Sequence, residues 1–269
     1  MAPLSTHTMK LNIVPARTGL LWVKLGMRAF FKQPIALSGL FFMFMAVISM
    51  CTIVPWIGSV LALVLIPGAT LGMMAASHEA SRGRFPMPTI LVTAFRAGHQ
   101  QMRSMLVLGA LYAAGFVGLL GLTALLDGGQ FAQLYLVGGR ISADLLNDDR
   151  FLGAMWLFTL GYLPLSLLFW HAPALVHWDH VSPVKSLFFS LVACWRNKGA
   201  FTMFGLAWMG VLTTGLLLAS VIGGLLGPLI GSTLVMVAML VLLAMFFASL
   251  VFTFRDCFAL QAPVVDTSA

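Results

Sequence analysis

The chain has 269 residues, 60% of them hydrophobic and 9% charged, and its 15 Lys and Arg exceed its 8 Asp and Glu to leave a formal charge of +7. Roughly a quarter of the residues of an ordinary water-soluble domain are charged, so this composition excludes one. A basic excess in so apolar a chain points to the cytoplasmic face of a membrane rather than to nucleic acid.

The predicted elements follow in chain order. From Pro15 a polar but periodic stretch places Arg17, Lys24, Arg28 and Lys32 within an arc of roughly 80° at helical spacing. Trp22, Val23, Gly26 and Phe30 face the other way. The first apolar run covers 35 to 53 and starts too late for a cleavable signal peptide, so it is expected to act as the insertion signal. Thr52-Ile53-Val54-Pro55-Trp56 turns the chain into a second run at 57 to 76, which contains Pro67. Past His78 and Glu79, the patch Ser81-Arg82-Gly83-Arg84 offers Glu79 an arginine partner. A second periodic stretch starts at Pro88 and sets Thr89, Thr93, Arg96, Gln100 and Arg103 opposite Leu91, Phe95 and Met102.

The third run, 105 to 126, has Gly109, Gly115, Gly118 and Gly121 at helix-packing spacing. An acidic loop from Asp127 to Arg150 holds Asp127, Asp144, Asp148 and Asp149, and the fourth run, 151 to 172, contains Pro164. A third periodic stretch opens at Pro183 behind Ser182, a suitable N-cap. Ser182, Lys185, Ser186, Ser190, Arg196 and Asn197 share one face of it, opposite Val184, Leu187, Phe188, Leu191 and Trp195. The fifth and sixth runs, 200 to 222 and 229 to 253, flank Gly223-Gly224-Leu225-Leu226-Gly227-Pro228, and Arg255 and Asp256 close the last.

Each of the six runs is near the ~20 residues that a membrane span requires, and none contains a charged side chain. The expected fold is all-α: one integral membrane domain over 1–269, with six transmembrane helices arranged as three hairpins. Each hairpin is expected to follow an interfacial amphipathic helix, which gives units 15–76, 88–176 and 183–258. Proline at the start of each periodic stretch suits a first helical turn, where its missing N–H costs nothing.

A cytoplasmic N-terminus puts Lys10, Arg17, Lys24, Arg28, Lys32, Arg82, Arg84, Arg96, Arg103, Lys185, Arg196, Lys198 and Arg255 inside, against Arg140 and Arg150 outside. That asymmetry satisfies the positive-inside rule and, with six spans, predicts a cytoplasmic C-terminus in a bacterial inner membrane.

His171, His177, Asp179 and His180 form a candidate polar site beside Trp170 and Trp178. Pro173 interrupts that stretch, and its spacing matches no zinc motif, so a polar hinge is expected and no metal. Cys51, Cys194 and Cys257 are odd in number and far apart, which suits small core residues better than disulfides. Pro67 and Pro164 each remove a main-chain hydrogen bond and are expected to kink their helices. The spans lack the charges that proton relays and ion-coupled carriers usually keep, and no catalytic motif is present.

Val14-Pro15-Ala16-Arg17-Thr18-Gly19 with Trp22, Gly83-Arg84-Phe85-Pro86-Met87-Pro88, Phe169 to Val176, and Ser182-Pro183 to Asn197 resemble an uncharacterised family of multi-pass inner-membrane proteins of Burkholderia-type bacteria. The resemblance runs from Asn12 to Phe258 and implies no activity. The plan of interfacial helix plus hairpin is distantly similar to the membrane domain of glycerophosphodiester phosphodiesterases, whose catalytic domain this chain lacks.

The expected function is non-enzymatic and without a cofactor: binding the phospholipid bilayer, anionic lipid above all, or assembling with other envelope proteins. Headgroup contacts are expected from Arg17, Lys24, Arg28, Lys32, Arg96, Arg103, Lys185 and Arg196. The alternative is a transporter or channel for a small or hydrophobic solute, shaped by the prolines.

Overall fold

The computed structural model describes residues 10–54, 57–139 and 142–259. Pro55, Trp56 and Arg140, with the side chains of Lys10 and Asp144, lie outside the described part. In order the helices are α1 (Thr18–Lys32), α2 (Pro34–Thr52), α3 (Ile57–Ser81), α4 (Thr93–Arg96), α5 (His99–Asp127), α6 (Gln130–Val137), α7 (Ala143–Leu146), α8 (Asp149–Phe169), α9 (Ala172–Trp178), α10 (Pro183–Arg196), α11 (Lys198–Leu226) and α12 (Pro228–Cys257). A 3-10 turn, Pro88–Val92, precedes α4. The short strands β1 (Lys10–Leu11) and β2 (Phe258–Ala259) pair antiparallel.

Among the described residues six segments are long and apolar enough to cross a membrane: α2, α3, α5, α8 continued by α9, α11 and α12. Their apolar runs are those read from the sequence, lengthened at the ends. At 1.5 Å per residue the 29 residues of α11 reach about 43 Å, past the ~30 Å of hydrocarbon and into the headgroups. Leu206, Met209, Leu217, Leu218 and Val221 stand exposed along α11, an arrangement that lipid accepts and water does not. Helices α3 and α8 run on through Pro67 and Pro164, each of which leaves one carbonyl of the preceding turn, Leu63 or Leu160, without its helical donor.

The chain folds as two compact units. One comprises described residues within 10–38, 76–86 and 192–259, the other described residues within 39–75 and 87–191.

In the first unit α1 packs on both α11 and α12. Its buried face is Gly19, Trp22, Val23, Gly26, Ala29 and Phe30. A Cβ on Gly26 would collide with Ser249 of α12, and one on Gly19 with the backbone of Ala200 and Phe204 in α11. Pro34 has no N–H to offer the Phe30 carbonyl, so α1 stops there and Gln33 N–H closes its last turn on Phe30 O at 3.0 Å. The expected amphipathic helix is therefore present, but its apolar face is covered by protein, where the sequence suggested lipid.

The second unit corrects the second amphipathic helix. The stretch from Pro88 to Arg103 is split into the 3-10 turn, α4 and the first turns of α5. Gly98 has φ +105°, outside the helical region and open chiefly to glycine, and it separates Arg96 from Gln100 and Arg103. Leu91 lies so close to α3 that a Cβ on Gly72 would come within 2.7 Å of its Cα. Pro15 likewise stands before α1, with Thr18 N–H bonded to its carbonyl at 2.9 Å.

The second unit is built around α5, which packs against α6, α8 and α9. Helix α6 comes from the stretch read as an acidic loop. Its Phe131 and Tyr135 join Phe116 and Phe158 in one aromatic cluster, with ring centroids 5.2 to 6.2 Å apart in the neighbouring pairs. Asp127 is buried at the head of that loop and accepts from the N–H groups of Gly129 (2.9 Å) and Phe131 (2.6 Å).

Replacing Gly26 with leucine is expected to lift α1 from α12. The cost should be about 1–3 kcal/mol, typical of overpacking. It would appear as a lower midpoint in detergent thermal unfolding and as faster hydrogen exchange confined to α1.

Candidate functional site

The N-terminal segment is tied to the ends of α10, α11 and α12 by polar side chains. Trp22 is fully buried and donates its indole N–H to Asp256 Oδ2 at 2.8 Å. Phe201 and Phe204 of α11 flank its ring at centroid distances of 5.3 and 6.0 Å. Asn197, between α10 and α11, accepts from Val14 N–H at 2.8 Å and donates to the carbonyls of Asn12 and Ala193, both at 3.0 Å. Asn12 N–H reaches Cys257 O at 2.9 Å. Neither Asn197 nor Asp256 carried a site role in the sequence reading, because only the fold brings their partners to them.

Arg17, Lys24, Arg28 and Lys32 are exposed on α1. The last two border a groove of about 630 Å³ where the ends of α1, α3 and α12 meet, lined by Leu25, Arg28, Ala29, Phe31, Lys32, Ser81, Phe252 and Arg255. Lys32 Nζ donates to Ser81 O at 2.6 Å, a cation placed on the last carbonyls of α3, where the helix dipole favours it. Arg255 stacks on Phe252, 5.2 Å from the ring centroid, and its Nε lies 3.3 Å from Asp256 Oδ1. The Glu79–Arg84 pair forms at 3.4 Å but is largely exposed, so it contributes little to stability.

Helix α10 has three sides. Ser186, Ser190, Ala193, Cys194 and Asn197 are buried, and Lys185 and Arg196 are exposed along a second edge. Val184, Phe188 and Trp195 form the third, at 68%, 61% and 66% exposure. The side read from sequence as polar thus divides: Ser186, Ser190 and Asn197 turn into the protein, while Ser182 and the two bases turn out, the bases beside uncovered apolar side chains. Arg96 and Arg103 are exposed as well, on separate helices.

The His171 to His180 cluster is not one site. Pro173 cannot donate to Phe169 O, so α8 ends at Phe169 and Pro173 falls in the first turn of α9. At the break the Ser190 hydroxyl stands between the two groups that a continuous helix would have bonded to each other. It accepts from His171 N–H at 2.9 Å and donates to Leu167 O at 2.7 Å. His171 is fully buried.

Further along, Gln101 of α5 donates to the carbonyls of Val176 and His177, and its Oε1 lies 3.4 Å from His180 Nδ1. Gln101 closes the end of α9, a role its sequence neighbours gave no sign of. Among the described residues no group of three or more His, Cys, Asp or Glu converges as a metal site would. Burial raises the pKa of the Asp179 carboxyl above its ordinary 3.8, and nearby His180 opposes the rise.

Six apolar spans, an almost wholly helical chain and polar groups gathered at the helix ends define a polytopic α-helical membrane protein. A Burkholderia thailandensis protein named "Probable inner membrane protein" is 37% identical over 259 residues, which cover 95% of this chain and 96% of that one. The chain belongs to the family of that protein and is a multi-pass inner-membrane protein. No protein-family model and no solved structure matches it.

Ser190→Ala should remove the two hydrogen bonds that the hydroxyl makes to His171 N–H and Leu167 O. The expected loss is about 1–3 kcal/mol, the usual worth of two such bonds, measured as a lower unfolding midpoint with Ser190→Thr partly restoring it. The raised Asp179 pKa has a defined sign. Protonation favours the folded state, so this contribution is full below pH 3.8 and is lost as pH rises through the raised folded value. Asp179→Asn should remove that component from a plot of unfolding midpoint against pH.

Proposed function

We propose that this protein binds anionic phospholipid at the cytoplasmic leaflet and serves there as a non-enzymatic accessory component of the envelope, with both termini in the cytoplasm. The observation that carries this reading is the three-sided α10. Its exposed Val184, Phe188 and Trp195 adjoin the bases Lys185 and Arg196, which is the composition of a helix lying at a headgroup boundary. On α1 the exposed Leu20, Leu21 and Phe31 accompany Arg17, Lys24, Arg28 and Lys32 in the same way. Each base near an anionic surface contributes about 1 kcal/mol, so two such helices would favour an acidic leaflet strongly. Other envelope proteins would meet the same surface.

Two experiments test this. In vesicles of phosphatidylcholine with added phosphatidylglycerol, α1 and α10 should exchange hydrogen more slowly and the protein should unfold at higher temperature than in phosphatidylcholine alone; equal behaviour in both would defeat the lipid reading. Alkaline phosphatase fused at the C-terminus should be inactive, and the same enzyme inserted between α7 and α8 should be active. The reverse pattern would invert the topology.

A further inference from the structure

We infer that the groove between the ends of α1, α3 and α12 holds one anionic glycerophospholipid, its phosphate on Arg28, Lys32 and Arg255 and its acyl chains along Leu25, Ala29, Phe31 and Phe252. This deepens the lipid-binding reading above and rests on it. It adds a discrete site to a surface preference.

Three of the eight residues lining the groove are cationic and none is acidic. Among the described residues Arg28 has no carboxylate partner. Lys32 is held in place by a neutral carbonyl, Ser81 O, so its charge is positioned without being neutralised, and two of its three N–H donors remain for a ligand. Arg255 gives its Nε to Asp256, which leaves four further N–H donors on the guanidinium. Asp256 is itself engaged by the Trp22 indole, so one partly committed carboxylate faces three cations.

Apart from Ser81, the rest of the lining is apolar. Phe31 is 67% exposed at the rim, and Phe252 lies beneath the Arg255 guanidinium. A phosphate monoanion alone would leave that apolar part against water; a lipid covers both parts. The volume of about 630 Å³ suits a headgroup with the upper parts of its chains. Arg28 and Lys32 are four residues apart on α1 and so project from one side of it, while α12 brings Arg255 from another element. The positive cluster thus depends on the docking of α1 and is not a run of basic sequence.

The test uses the full-length protein, purified in mild detergent from a bacterial membrane and examined by native mass spectrometry with added phosphatidylglycerol or phosphatidylcholine. Wild type should retain one phosphatidylglycerol in preference to phosphatidylcholine. Arg28→Gln combined with Arg255→Gln should weaken that retention about thirtyfold, and Arg84→Gln combined with Lys198→Gln, two exposed bases outside the groove, should leave it within about twofold. Arg28→Lys should keep most of it, and the unfolding midpoint in lipid-free detergent identifies any variant whose loss reflects misfolding.

Equal weakening by both double variants would overturn the site and leave only diffuse attraction to acidic lipid. No preference for phosphatidylglycerol, or no effect of the groove variants when folded, would overturn it too. Release of the lipid by millimolar inorganic phosphate would reassign the groove to a soluble anion. If the groove variants lose the bound lipid while vesicle composition leaves α1 and α10 unprotected, the site stands and the wider surface reading fails.

Discussion

Hydrocarbon offers no hydrogen-bond partner to a peptide group, so every interruption of a helix within or beside the bilayer must be repaired by the protein itself. The positions of the buried polar side chains follow from this constraint. Where α8 ends before Pro173, the Ser190 hydroxyl enters the gap and accepts and donates once each. Where α9 ends, the Gln101 amide reaches two of the last carbonyls. Where α5 turns into α6, Asp127 receives the first free N–H groups. Where the N-terminal segment meets α10 and α11, Asn197 satisfies groups from both. An unrepaired gap would cost several kcal/mol in lipid, so these few residues permit the chain to bend at all.

The same constraint decides what the amphipathic helices do. A helix beside a membrane protein has three surroundings available: lipid, water and protein. A plot of polar against apolar residues separates only two. In α1 the apolar face goes to protein because Gly19 and Gly26 let it approach α11 and α12 closely, and Trp22 gains an acceptor in Asp256 that lipid would not supply. In α10 the small and polar residues Ser186, Ser190, Ala193 and Cys194 go to protein, which leaves Val184, Phe188, Trp195 and the bases Lys185 and Arg196 exposed. Two stretches of similar pattern thus turn opposite sides inward, and the size of the residues on each side tells them apart.

This accounts for how far the sequence could be read. The six spans were legible because bilayer thickness imposes a length and an apolar composition on them without reference to any partner. Helix α6 was not, since its eight residues lie between glycines and acids and gain meaning only when Phe131 and Tyr135 find Phe116 and Phe158. The break in the second periodic stretch was marked by Gly98, but glycine is tolerated inside helices and its positive φ is visible only in the fold. Of the candidate site residues, the bases Arg17, Lys24, Arg28, Lys32, Arg96, Arg103, Lys185 and Arg196 are exposed. The histidines were grouped by sequence proximity, and the turn at Trp170 and His171 separated them. Asp256 and Asn197 gained weight only from contacts with residues 60 to 244 positions away.

The Trp22–Asp256 hydrogen bond also has an electrostatic consequence. The indole N–H engages Oδ2 and Arg255 Nε engages Oδ1, so one carboxylate ties α1 to α12 and holds the Arg255 guanidinium beside the groove that Arg28 and Lys32 also line. The docking of α1 and the positive potential beside it are therefore coupled, and loosening the helix would disperse the charge as well as the packing.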